Sequence, residues 1–157
     1  MKKNIHLGLV LSSFPSYSET FLVNKINGLI TNGFKISLFI NSPIAQTFSI
    51  SNSIDIYYKI NHRNIIQLLI NLIRLFFFRF RVLFRFIINE KKLQRSNFSI
   101  LKNIIVNCHI LLVKKIDWIH FEFASSGINR ESLGKAIGAK ISCSFRGYDL
   151  SFFPHLN

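Results

Sequence analysis

The sequence predicts an α/β fold, a Rossmann-like parallel sheet with a long helical pair inserted into it. Three observations carry that expectation. Short continuous apolar runs, the mark of strands buried on both faces, alternate with segments of helical period. Gly33 and Gly138 stand just past two of those helical segments, where a left-handed residue ends a helix. The 157 residues, 49% of them apolar, suffice for one domain with a core and are too few for two full ones.

In chain order, residues 4–11 are the first apolar run and read as a strand, followed by a loop over 12–18 that contains Pro15. Residues 19–31 put Phe21, Leu22, Ile26, Leu29 and Ile30 on one helical face. Residues 34–40 and 54–60 read as the second and third strands. From 62 to about 115 the period is helical, and a break near 96–98 divides it into two helices. Residues 117–123 alternate as a strand, 129–137 form a helix ended by Gly138, and 139–145 form a fifth strand. Such alternation calls for parallel strands joined by right-handed crossovers, with the helical pair between the third and fourth.

Lys and Arg number 20 against 7 Asp and Glu, a net charge of +13. That excludes an acidic, solvating protein and calls for an anionic partner or surface. Residues 62–95 hold eight basic side chains and one acidic one, more than half of the net charge. Cys108 and Cys143 have no CxxC spacing and no His at metal-ligand spacing, so no disulfide framework and no metal is expected. Both read as small buried hydrophobes. The apolar stretch at 7–11 is too short for a signal-peptide core. The ten uncharged residues between Arg63 and Arg74 are half of what a spanning helix needs. Cytoplasmic residence is the expectation.

Ligands of open parallel sheets sit beyond the carboxyl ends of the strands, at the switch point. Three segments of this sequence fall there. Ser16-Tyr17-Ser18-Glu19 fits a capping box. Ser18 and Glu19 either start a helix only or present that helix end to a sugar or phosphate. His120 and Glu122 are two apart on a strand and project to one side. They form either a proton-exchanging or hydroxyl-holding pair, or simply a satisfied pair at a strand end. In the third segment, Gly147 permits a tight turn, Arg146 suits a phosphate, and Asp149 accepts sugar hydroxyls or caps a helix.

The basic region has its own pattern. At 100° per residue, Arg74, Arg81, Arg85 and Lys92 fall within about 20° of one line, Arg63 joins them, and Arg79 lies opposite. The rest of the helix surface is Ile, Leu and Phe, including Phe76, Phe77, Phe78, Phe80, Phe84 and Phe86. A charged stripe on an apolar helix describes an element lying in the interface of an anionic membrane. Against it stands a core helix whose Arg stripe is its solvated face. Binding of single-stranded nucleic acid is a third reading, not favoured because no recognised motif accompanies the charge.

These residues resemble a known family. Ser13-Phe14-Pro15-Ser16-Tyr17-Ser18-Glu19-Thr20-Phe21, followed by Gly33-Phe34-Lys35-Ile36, looks like the opening of family 4 GT-B glycosyltransferases. Residues 117–124 are similar to that family's middle "DxxHxHFA" segment, and 145–150 to its "HGxDL" segment, in the same order and at similar spacing. The likeness extends to bacterial exopolysaccharide enzymes such as those of colanic acid synthesis. The resemblance implies the amino-terminal, acceptor-side part of an enzyme of hexosyltransferase type. The parent enzyme moves a sugar from a nucleotide-sugar donor to a glycan acceptor, lipid-linked, in exopolysaccharide or lipopolysaccharide synthesis, at the inner face of the cytoplasmic membrane. It implies no metal or other cofactor. Glu19 then lines the cleft, His120 matches the first His of the middle motif, and Glu122 replaces the second. Arg146 stands in place of the family's His, and Asp149 keeps the family's Asp. A carboxyl-terminal domain with a paired-Glu motif, which holds the nucleotide sugar in the family, is absent from residues 1–157. The expectation is therefore a partial domain, inactive as an isolated chain.

Overall fold

The computed structural model describes residues 5–12, 20–41, 54–59 and 64–145. Its strands are β1 (His6–Leu11), β2 (Lys35–Ile40), β3 (Asp55–Tyr58), β4 (Trp118–Phe121) and β5 (Lys140–Cys143). All pair in parallel, in the order β3-β2-β1-β4-β5. This is a Rossmann-like α/β sheet. The strand order changes direction between β1 and β4, which makes their carboxyl ends the switch point.

The helices are α1 (Thr20–Thr31), α2 (Ile65–Phe78), α3 (Phe80–Lys92), α4 (Asn97–Leu111) and α5 (Ser132–Ile137). β1 is buried along its whole length because helices cover both of its faces. Leu7, Leu9 and Leu11 pack with Ile36, Leu38 and Ile40 against Leu22 and Ile26 of α1. The alternate residues Val10, Phe39, Ile119 and Phe121 meet Phe86, Ile104, Cys108 and Leu133 on the other face. That two-sided burial is why the sequences of β1 and β2 are nearly continuous apolar runs. Gly33 (φ +83°) and Gly138 (φ +78°) end α1 and α5 in the left-handed conformation that glycine adopts without steric cost.

Three differences from the sequence expectation have physical causes. The inserted region holds three helices, where a pair is expected. The break before α4 falls at Ser96, whose hydroxyl caps the Ser99 amide at 3.2 Å. A further break falls at Arg79, whose backbone (φ −133°, ψ 27°) leaves the helical region. Its guanidinium donates to the Leu111, Val113 and Lys114 carbonyls at 3.4, 2.8 and 3.3 Å, supplying partners that the end of α4 lacks. The basic stripe is thereby divided between α2 (Arg74) and α3 (Arg81, Arg85, Lys92). Second, α5 starts at Ser132, because Asn129 takes a positive φ of 61°. Third, Cys143 is exposed; only Cys108 is buried, and burial pushes its thiol up to about 11.

A polar cluster holds the inserted helices to the sheet domain. Glu90 of α3 is fully buried and accepts from Asn103 Nδ2 of α4 at 2.6 Å. Arg95 lies 3.6 Å from the same carboxylate and pairs with Glu131, just before α5, at 2.8 Å.

Candidate functional site

The carboxyl end of β4 brings His120 and Glu122 together on the face beside α1. Glu122 is fully buried, and Lys25 of α1 donates to its Oε1 at 2.6 Å. His120 Nε2 lies 3.7 Å from that same oxygen. Two serines from β5 and its end complete the surroundings: Ser142 Oγ is 2.8 Å from His120 Nδ1, and Ser144 Oγ is 3.1 Å from Nε2. Trp118 Nε1, a donor only, gives its proton to Ser142 Oγ at 2.7 Å. Ser142 Oγ can give its own proton to Nδ1; Nε2 then carries the ring proton, the tautomer that turns a donor rather than a lone pair toward the Glu122 carboxylate. Lys25, Glu122, His120, Ser142, Trp118 and Ser144 thus form one network, which runs from Trp118 at the start of β4 to the rim where ligands of parallel sheets sit. A partly exposed imidazole backed by a buried carboxylate can accept or relay the proton of an incoming hydroxyl, or hold that hydroxyl in place.

Of the other residues read from the sequence, Ser18, Glu19, Arg146, Gly147 and Asp149 lie outside the described residues, as does Arg63. Arg74, Arg81, Arg85 and Lys92 are all exposed. The aromatic cluster splits. Phe86 is fully buried, whereas Phe76, Phe77, Phe78, Phe80 and Phe84 are 62, 70, 80, 57 and 63% exposed. Ile65, Ile66, Leu69, Ile70 and Ile73 extend this face along α2. A core helix does not leave five phenylalanines in water, so that competing reading fails for α2 and the first half of α3. No helix among the described residues is long and apolar enough to cross a membrane. No group of three or more His, Cys, Asp or Glu among them is placed to hold a metal ion.

Two functional candidates escape sequence reasoning. Lys25 gives no signal because its partner lies 97 positions away. Arg130, a single Arg in a turn without motif, is 6% exposed and stacks over Phe121 on the other face of the sheet at the same rim. A cavity of about 620 Å³ also opens at the amino ends of β1, β2 and β3, beside His6, Lys35 and Asp55. It lies at the end of the sheet opposite the switch point, and Lys35 and Asp55 pair across 3.4 Å there. The chemistry favours the carboxyl rim.

No protein-family model matches the chain, and no curated protein matches it.

Proposed function

We propose that this chain is the acceptor-binding portion of a glycosyltransferase resembling family 4 of the GT-B class. The parent enzyme transfers a sugar from a nucleotide donor to a lipid-linked or oligosaccharide acceptor at the inner face of the cytoplasmic membrane. One observation carries the reading. Of the three segments that resemble the family, 117–124 contains β4 and the other two follow β1 and β5 in the sequence; β1 and β5 flank β4 in one parallel sheet, with the carboxyl ends of the three strands on one rim. There His120, backed by buried Glu122 and Lys25, meets an acceptor hydroxyl. The donor sugar needs a second domain, because the paired-Glu motif that binds it in the family has no counterpart in this sequence.

The exposed phenylalanine face of α2 and α3, bordered by Arg74, Arg81, Arg85 and Lys92, supports peripheral attachment to an anionic membrane, where a lipid-linked acceptor resides. The same observation favours a second reading, a membrane-surface module without catalysis. Saturation-transfer NMR on the whole chain separates the two. The acceptor reading predicts that short bacterial oligosaccharides bind, that nucleotide sugars alone do not, and that His120→Ala weakens glycan binding about tenfold, the worth of one good hydrogen bond. Vesicle binding with no glycan binding would leave the membrane module and overturn the acceptor reading.

A further inference from the structure

Arg130 lies buried over the Phe121 ring without a counter-charge among the described residues. The side chain is 6% exposed, and its Nη2 makes one long hydrogen bond, 3.4 Å, to Asn41 Oδ1. Its Nη1 is buried without a hydrogen-bond partner, and no carboxylate among the described residues pairs with it. The adjacent Glu131 is engaged by Arg95 at 2.8 Å, and Glu90 by Arg95 and Asn103. The surrounding charge is positive. Lys102 lines the same cavity, and Lys59 is close enough for Arg130 to lower its pKa. His109 reports the same field: its pKa is pushed down to about 3, by burial first and then by Arg130 and Lys59. Taking a guanidinium out of water without a counter-charge is costly, and proteins pair such groups or coordinate ligands with them.

A cavity lies beside Arg130. It is polar, about 360 Å³ in volume, and sits at the carboxyl ends of the strands, where Arg130 lines it with Asn41, Lys102, Asn103 and Asn107. Asn107 is 1% exposed; its Nδ2 donates to the Asn103 carbonyl at 2.8 Å, while its Oδ1 has no partner. Two residues that line one cavity thus each bury a polar atom without a partner, Nη1 of Arg130 and Oδ1 of Asn107. A cationic fork lacks an oxyanion, and a carbonyl oxygen lacks a donor.

We infer that the cavity between α4 and the turn before α5 is a binding site for a sugar-sized oxyanion, a phosphate or carboxylate borne on a hydroxylated body. Arg130 takes the oxyanion and Asn107 Oδ1 accepts a hydroxyl. The planar guanidinium suits either anion, since both present paired oxygens. This inference does not depend on the transferase reading, because Arg130 lies on the other face of the sheet from His120 and Glu122.

Thermal melting and titration calorimetry of the whole chain test it, with glucose 1-phosphate, glucuronate, inorganic phosphate and glucose as probes. Glucose 1-phosphate or glucuronate raises the melting temperature and identifies the oxyanion as phosphate or carboxylate; glucose does neither. Arg130→Met melts higher than wild type without ligand, because an unpaired buried charge is gone, and binds the effective probe at least about 30-fold more weakly. Arg130→Lys keeps part of the affinity, and Asn107→Leu loses the preference for glucose 1-phosphate or glucuronate over inorganic phosphate. The inference is overturned if no anionic probe binds wild type, or if Arg130→Met melts lower and binds as well as wild type. Should Arg130→Met not fold, undiminished binding by Arg130→Lys and Asn107→Leu together overturns it equally.

Discussion

Replacing Phe76, Phe77 and Phe78 together by Ser tests the role assigned to the exposed face. These three rings are 62, 70 and 80% exposed, so little packing within the chain is lost. Fully burying a Phe is worth up to about 3 kcal/mol, and about seven-tenths of each ring is available, giving about 2 kcal/mol per ring. Interfacial helices sink only about 5–10 Å past the headgroups, which roughly halves the sum to about 3 kcal/mol for the three. That corresponds to about a hundredfold in membrane partitioning. The charge contribution is separate. Arg74, Arg81, Arg85 and Lys92 add about 1 kcal/mol each on an anionic leaflet, a contribution that salt weakens. Flotation with phosphatidylserine-rich and with phosphatidylcholine vesicles measures both. Wild type floats with the anionic vesicles and is released by salt; the triple variant partitions about a hundredfold less while keeping its melting temperature. Equal flotation of both proteins, or no preference for anionic lipid, would refute the reasoning.

Three further outcomes follow from the packing. His109 is held neutral, with its pKa near 3, so the unfolded chain binds a proton between about pH 6.5 and 3 that the folded chain refuses. Folding stability is therefore lost as pH falls through that window, by up to about 5 kcal/mol at its foot; urea melts of His109→Phe show a shallower pH dependence, and an unchanged one would contradict the assignment. Arg79→Met deprives three carbonyls at the end of α4 of a donor and costs about 1–3 kcal/mol in chemical denaturation, with Arg79→Lys recovering part. Gly134→Ala places a Cβ 2.7 Å from the Ala139 carbonyl and from Ile141 Cγ1, contacts that backbone cannot relieve, and lowers stability by about 3 kcal/mol or more by thermal melting.

The sheet was legible in the sequence because its central strands β1 and β2 are buried on both sides, which writes a nearly uninterrupted apolar run, and because Gly33 and Gly138 punctuate the helices. The contact between His120 and Glu122 was legible for a similarly local reason, the two-residue period of a strand. What escaped depends on distant partners. The break at Arg79 has no Pro or Gly to announce it, since it follows carbonyls 32 to 35 positions away. Arg130 is buried by Phe121 and reaches Asn41, 89 positions distant, so nothing in its own neighbourhood distinguishes it from a solvated Arg. The sequence puts the basic stripe on one line because the helical period runs on across residue 79. The number of phenylalanines already exceeded what one buried face accommodates, and five of the six are indeed exposed.

The central claim is that a glycan acceptor meets the rim of β1, β4 and β5 while α2 and α3 lie on the membrane. Amide NMR of the whole chain on nanodiscs, with and without a polyprenyl-phosphate-linked oligosaccharide, tests both parts in one spectrum. Plain anionic nanodiscs broaden the signals of α2 and α3 and leave the rim unchanged. Adding the lipid-linked glycan then shifts Lys25, His120, Ser142 and Ser144. A glycan that leaves those four signals in place, on a chain already bound to the membrane, contradicts the account.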